Sequence, residues 1–425
     1  MEMKPLSTLK YMSSTDDSID VIEEYKKRLS GYSSFQTNLF PILTDKSKKQ
    51  YDDYPIFFVE TRSMVRLNAE IRKNSSLIEN IGSSLPGIAK ESYTNSLLTN
   101  EIQFSNEIEG VKTERREIGT VVDELQNNNK TDKKRLVSTV KKYIDILGEP
   151  EIKIENFQKI RDIYDKLTDG EIEEGKLPDG EYFRDKPVRI GTDIETVHRP
   201  PVNEKTIKDK LMSLIDFMNN EDIPPVEKSL VTHFMFENTH PFMDGNGRMG
   251  RYLLSQYLSK KLDPYTALSI SSSIHSNQAK YYKIFKDAEL YENKAELTFF
   301  IQKMMEIILE GQNSVLEKLN ELLDLLNKYF VELKEILNVN DTNNDLEFNL
   351  LFVFIESKLF NVDSSLGVKD TPLINMLYKR DTRLYKKVKI REIIKKYEDS
   401  GVLVKVGQKP LQHEIDLEKL FGDIY

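Results

Sequence analysis

The sequence predicts a mainly α-helical protein: a helical-bundle domain carrying a short β-hairpin, followed by a small C-terminal α+β domain of winged-helix type. Three observations predict this. From Tyr54 onward, apolar residues recur three or four positions apart in one run after another, the spacing of a half-buried helix. One internal segment, "VRIGTDIETVH", has the composition and Gly-centred turn of a hairpin instead. Beyond Leu346, a basic helical pattern, "RLYKKVKIREIIKKYEDSG", runs directly into a second hairpin candidate, "SGVLVKVGQKPLQHEID".

The elements follow in order. Residues 1–54 form an N-terminal extension of weak periodicity with one helix, "DDSIDVIEEYKKRL". The main helical region is placed at 55–310. There "TRSMVRLNAEIRKNSSLIENI" and "YTNSLLTNEIQFSNEIEG" read as helices, the second stopping at Gly110. "IGTVVDELQNNN", "KRLVSTVKKYIDIL" and "ENFQKIRDIYDKL" continue the pattern. The hairpin comes next, with its turn at Gly191-Thr192-Asp193, and helices resume in "EKTIKDKLMSLIDFMNN" and "PPVEKSLVTHFMFENTH". The Leu-rich "SVLEKLNELLDLLNKYFVELKEIL" makes 311–345 a helical linker ending in "NVNDTNND", and 346–425 is the winged-helix-like domain.

Composition narrows the function. A chain of 425 residues is long enough for two or three domains and a sizeable core. With no Cys there is no disulfide framework, thiolate zinc site or cysteine nucleophile. No stretch approaches the roughly 18 apolar residues of a membrane span, and "MEMKPLSTLKYMSS" lacks the apolar run of a signal peptide, so a cytoplasmic address is expected, without membrane partners. A net charge of -9 argues against whole-molecule attraction to nucleic acid.

The chemistry concentrates in "HPFMDGNGRMGR", residues 240–251. Gly245-x-Gly247-x-x-Gly250 matches the dinucleotide-binding spacing, but a helix precedes it where a buried strand would be required. A phosphate-binding P-loop fails for want of Gly-Lys-Ser/Thr. A calcium loop from Asp244 fails because Arg248 stands where an oxygen ligand belongs. What remains is helix, Gly-rich turn, helix. Gly245 and Gly247 let backbone N–H groups form an anion nest, and the second helix, beginning near Arg248, aims its positive end at it. Arg248 and Arg251 share a helical face and can fork onto phosphate oxygens. Asp244 can hold Mg²⁺ against those oxygens, and His240, ending the first helix, is placed to accept a proton. Each part suits a polyphosphate with an attacking hydroxyl beside it. His233 and His275 are read as structural.

This stretch resembles the signature of the Fic family, His-x-Phe-x-Asp/Glu-Gly-Asn-Gly-Arg-x-x-Arg, and matches it at every defined position. The resemblance implies the Fic helical bundle with its flap hairpin, over roughly residues 55–310. It also implies a protein adenylyltransferase, moving AMP from ATP to a Ser, Thr or Tyr hydroxyl of a target protein and of itself, with Mg²⁺ or Mn²⁺. On that basis His240 is the general base, Phe242 the anchor of the loop and Asp244 the metal ligand. Gly245, Asn246 and Gly247 line the anion hole, Arg248 binds the phosphate chain and Arg251 its γ-phosphate end. Val188, Arg189, Ile190, Gly191 and Thr192 fall where the family has its target-docking flap. Tyr281 and Tyr282 fall beside the nucleotide, against adenine or ribose, with aromatic core packing as the alternative. Glu289 departs from the Asn of many relatives.

"SNEIEG", within an expected inhibitory helix at about 95–110, resembles the Ser/Thr-x-x-x-Glu-Gly/Asn brake of one class of these enzymes, often dimers. Ser105 and Glu109 lie on one helical face, and a carboxylate on Arg251 would misplace ATP. The same Glu could instead position water, making the protein a hydrolase that removes AMP. From Thr371 to Ser400 there are nine Lys or Arg against four Asp or Glu, a local charge of +5. That segment suits DNA contact through a recognition helix, or docking of a protein or a second copy. A further alternative is a DNA- or protein-binding regulator whose Fic core senses nucleotide.

Overall fold

Helices dominate the described chain, as the apolar spacing predicts. The computed structural model describes residues 3–126, 134–148, 153–191, 196–219, 222–342, 345–361, 367–408 and 410–422. Two compact units divide it: Met1–Ile78, Asn100–Thr113 and Lys130–Asn313 in the first, Glu79–Thr99, Glu114–Asn129 and Ser314–Tyr425 in the second.

The first unit opens with α1 (Leu6–Met12) and α2 (Val21–Leu29). The sequence run beginning at Asp16 becomes helical only at Val21, because the Asp20 carboxylate caps the Ile22 and Glu23 N–H groups. Four short strands follow: β1 (Ser34–Gln36), β2 (Leu43–Thr44), β3 (Gln50–Tyr51) and β4 (Phe57–Val59). β1 pairs antiparallel with β4 and β2 with β3. Residues 1–54 therefore fold into this unit rather than hanging off it.

Next along the chain come α3 (Arg62–Ser84), α4 (Gly87–Ile108), α5 (Arg115–Gln126), α6 (Lys134–Gly148) and α7 (Phe157–Leu167); the end of α3, the first part of α4 and all of α5 belong to the second unit. Helix α4 stops where Gly110 takes φ +74°, a left-handed turn that a Cβ would strain. The hairpin exists as β5 (Ile190–Gly191) against β6 (Thr196–His198), with Ile190 opposite His198. Of the predicted turn residues, Gly191 ends β5, and Thr192 and Asp193 lie outside the described residues.

Helices α8 (Glu204–Met218), α9 (Pro225–Thr239), α10 (Asn246–Lys261), α11 (Pro264–Ala267), α12 (Ile270–Ser276) and α13 (Gln278–Ala288) complete the bundle. Asn203 and Asp263 cap α8 and α11. Helices α9 and α10 pack on each other and are buried on almost every side, with α6, α7, α8 and α12 around them. Such all-round burial marks central helices.

The 39-residue α14 (Thr298–Ile336) contributes its later part to the second unit. There α15 (Leu346–Phe360), β7 (Val368–Lys369), α16 (Asp370–Arg380), α17 (Lys387–Asp399), β8 (Leu403–Gln408), β9 (Leu411–Ile415) and α18 (Leu417–Phe421) follow. The strands form one sheet in the order β7-β9-β8. No helix among the described residues is long and apolar enough to cross a membrane.

Candidate active site

The loop between the two central helices is held from both ends. Helix α9 ends at His240, which adopts a left-handed conformation (φ 48°, ψ 62°) while its N–H still bonds the Phe236 carbonyl at 2.9 Å. Its own carbonyl accepts from Nε of Arg184 at 2.9 Å. Burial pushes the imidazole down to about 3, with nearby His198 and Arg184 adding to the effect, so the ring is neutral at pH 7. Its Nδ1 is buried with no hydrogen-bond partner among the described residues. A neutral imidazole with an unpartnered nitrogen can accept a hydrogen bond, while burial disfavours its protonated form.

Phe242 is fully buried, stacked on Tyr164 with ring centroids 3.6 Å apart and edge-on to Phe183. The Asn246 side chain clasps it from below. Its Oδ1 accepts from the Phe242 N–H at 2.8 Å, and its Nδ2 donates to the Phe242 carbonyl at 2.9 Å. The sequence reading put Asn246 in the anion hole. Its amide is instead engaged with the loop, which leaves the backbone to face a ligand.

Helix α10 starts at Asn246, two residues earlier than expected near Arg248. Gly245 (φ +77°) precedes it and provides no side-chain cap. The first-turn N–H groups therefore have no acceptor from their own helix, and the dipole adds positive potential there. A Cβ on Gly247 would run into Oε1 of Glu109, the far end of a side chain that would have to move aside.

Both arginines are buried and oriented by carboxylates. Arg248 pairs with Glu171 at 2.5 Å, its Nη2 lying 3.7 Å from Asp244. Arg251 meets Glu109 at 3.0 Å and donates to the Ser105 hydroxyl at 3.1 Å and carbonyl at 2.8 Å. Burial works against its charge, yet Glu109 and other anionic neighbours outweigh that, and its pKa is raised.

Asp244 is about one-third exposed, with Lys176 at 3.6 Å. Among the described residues no group of three His, Asp or Glu side chains is placed to hold a metal. One exposed carboxylate beside an anion site nevertheless fits a divalent ion that takes its other oxygens from phosphates.

A family model described as "Fic/DOC family" matches residues 155–258, a span that holds α7 to α10 and the whole loop. This chain carries a Fic domain. Two relatives are named protein adenylyltransferases. One, fic-1 of Caenorhabditis elegans, is 30% identical over 93 residues, 21% of this chain and 17% of that protein. The other, a protein of Aquifex aeolicus described as a probable protein adenylyltransferase, is 34% identical over 80 residues, 19% of this chain and 23% of that one. The matched segments thus span less than a quarter of either relative's length. A Fic family protein from Desulfovibrio desulfuricans aligns with a TM-score of 0.48 and 18% identity, over 84% of this chain and 97% of that one.

Around the Fic loop the structure gathers His240, Asp244, Arg248, Arg251, Ser105 and Glu109. Of the two tasks the sequence left open for Tyr281, it gives the core one. That ring is buried and its hydroxyl lies 2.8 Å from Nε2 of His233, so it belongs to the core and fixes a structural histidine. Tyr282 is half exposed, its hydroxyl donating to the Ile108 carbonyl at 3.2 Å. Of the flap residues, Val188 and Arg189 precede the strand and Ile190 and Gly191 form it.

Sequence reasoning missed Arg184, Glu171, His198 and Glu237. Arg184 is fully buried and bridges the His240 and Lys186 carbonyls. His198 lies 2.8 Å from the Asn238 carbonyl and 3.3 Å from Glu289. Glu289 also accepts from the Asn238 amide at 2.9 Å, so the residue that departs from the family pattern braces the end of α9. Arg184 and Glu171 sit in no motif-like pattern, and His198 and Glu237 lie inside the quoted hairpin and helix with nothing to mark them out. A lone Arg in "GEYFRDKPV" carries no signal until the fold brings it under the loop.

Proposed function

We propose that this protein transfers AMP from ATP to a Ser, Thr or Tyr hydroxyl of a target protein and of itself, and that Glu109 holds the activity in check. One observation carries the transfer reading: a neutral His240 with an unpartnered ring nitrogen stands at the mouth of an uncapped helix N-terminus flanked by two buried arginines. The N–H groups of α10 and Arg248 bind and orient the phosphate chain. The target hydroxyl oxygen attacks the α-phosphorus, the bond to the β-phosphate oxygen breaks and pyrophosphate leaves, while His240 takes the hydroxyl proton. Asp244 is the residue that would hold Mg²⁺ or Mn²⁺, which offsets phosphate charge when bound.

Glu109 occupies both Arg251 and the space above Gly247, where the end of a phosphate chain would lie. ATP entering past it is misaligned, and a misplacement of about 1 Å can cost ~100-fold in rate. The flap supports docking of an extended target segment, because β5 pairs with β6 alone among the described residues. In the second unit, the order α15-β7-α16-α17-β8-β9 and the three-stranded sheet support a winged-helix-like module with Lys389, Arg391 and Lys395 exposed on α17.

The test uses α-labelled ATP with wild type, Glu109→Gly, and Glu109→Gly combined with His240→Ala. Strong labelling confined to the Glu109→Gly variant supports base and brake together. Absence of label from all three overturns transfer, and release of AMP from a modified protein becomes the next assay.

A further inference from the structure

Helix α4 meets α10 along a ladder of three polar rungs. Glu101, Ser105 and Glu109 recur every four residues on α4 or just past its end, so they share one face. Ser255, Arg251 and Gly247 recur every four residues, in the opposite chain direction, on α10. Ser255 donates to Oε1 of Glu101 at 3.1 Å. Arg251 donates to Ser105. Glu109 reaches Arg251 and overlies Gly247.

The first rung is chemically unusual. Glu101 is fully buried in mid-helix, and among the described residues it has no cation within ion-pair distance. It accepts two further bonds from Ser271 on α12, at 2.7 Å from the backbone N–H and 2.6 Å from the hydroxyl. Desolvating a carboxylate without a paired cation is costly, and a Leu or Met at this core position would avoid that cost. What a carboxylate provides there is geometry. Three directed bonds admit one axial and one rotational setting of α4, whereas an apolar contact tolerates sliding. A slip of a single residue moves a helix by about 1.5 Å and turns it by about 100°, which takes Glu109 off Arg251.

We propose that Glu101 is the positioning residue of the brake: its bonds to Ser255 and Ser271 lock the register of α4 against α10 and so deliver Glu109 to Arg251. This rests on Glu109 being the inhibitory group. The lock also responds to pH. Burial pushes the Glu101 carboxyl up to about 7; the three serine donors and Arg251 of α10 favour its ionised form, and Tyr143 of α6 also faces it. Because its folded-state value is raised, its contribution to docking is present at low pH and is lost as the pH rises through about 7.

Hydrogen exchange of residues 100–110, corrected for intrinsic rate, tests this in the full chain. Glu101→Ala should raise exchange there about tenfold while leaving 246–261 unchanged, and should raise self-labelling about tenfold. In the Glu109→Gly background the same substitution should change labelling less than about twofold, since the two act through one contact. Glu101→Gln, which keeps shape but cannot ionise, should abolish the rise in 100–110 exchange that wild type shows between about pH 4.5 and 7. Wild-type exchange in Glu101→Ala, an equal gain of labelling in the Glu109→Gly background, or an unchanged pH response in Glu101→Gln would each overturn the proposal. If no variant labels at all, the transfer reading fails while the exchange comparison still decides the role of Glu101.

Discussion

The Glu109 carboxylate lies 3.0 Å from Nη2 of Arg251 and in the space that any side chain on Gly247 would need. One carboxylate thus neutralises a buried guanidinium and covers the first turn of α10, both of which a phosphate chain would use.

Removing that anion leaves Arg251 buried and uncompensated. Glu109→Gly should therefore lower nucleotide-free stability by about 1–3 kcal/mol, toward the lower end because the Glu109 side chain is 26% exposed. ATP should restore more stability to the variant than to wild type, because its phosphates replace the lost charge. Thermal melts with and without ATP check this; an equal ATP shift in both chains would count against it.

Gly247→Ala places a methyl group where either the carboxylate or a phosphate must come. In the Glu109→Gly background it should reduce AMP transfer by about 100-fold or more, with the fold intact by circular dichroism. A rate within threefold of the parent would show that phosphates do not approach this turn.

Asn246→Ala removes two bonds to the Phe242 backbone in a buried loop. Leaving that N–H and C=O unsatisfied should cost about 2–4 kcal/mol. Chemical denaturation of the purified variant measures it, and transfer in the Glu109→Gly background should fall with it, since His240 hangs on the same loop.

Glu237 gives the pH prediction. Burial, reinforced by Glu109, pushes its carboxyl up to about 8, and its Oε1 is buried with no hydrogen-bond partner among the described residues. The fold favours the protonated form, so its contribution is complete below the ordinary value of 4.5 and is lost as the pH climbs through about 8. Glu237→Gln cannot ionise, so the variant should gain stability relative to wild type by about 1–3 kcal/mol between pH 5 and pH 9. Paired melts across that range read the difference, with the other titrating groups common to both chains.

The helices and the motif were legible because their signals are local. Apolar spacing writes α3, α4, α9 and α10 directly into the sequence, and a Gly at 110 or 245 announces a left-handed turn. Ser105 and Glu109 could be found as a pair because four residues make one helical turn. Arg184 and Glu171 were not legible, since what gives them a role is a partner many positions away. For Tyr281 the sequence left ligand contact and core packing open, and the fold places its hydroxyl beside His233. The Asn246 amide is turned toward the Phe242 backbone, a partner that the motif alone does not reveal.

The first strands bear on how the protein can be cut. The Asn238 side chain, two residues before His240, exchanges hydrogen bonds with both the N–H and the carbonyl of Ile42, and Thr44 donates to the Glu289 carbonyl. β4 also relies on β1 for its pairing. A fragment starting at residue 55 would expose Phe57 and Phe58 and strip Asn238 of its backbone partners, loosening the end of α9 from behind. Truncations meant to isolate a minimal catalytic piece should therefore keep the leader, and a shortened clone that is insoluble or silent would say nothing about the chemistry of the loop.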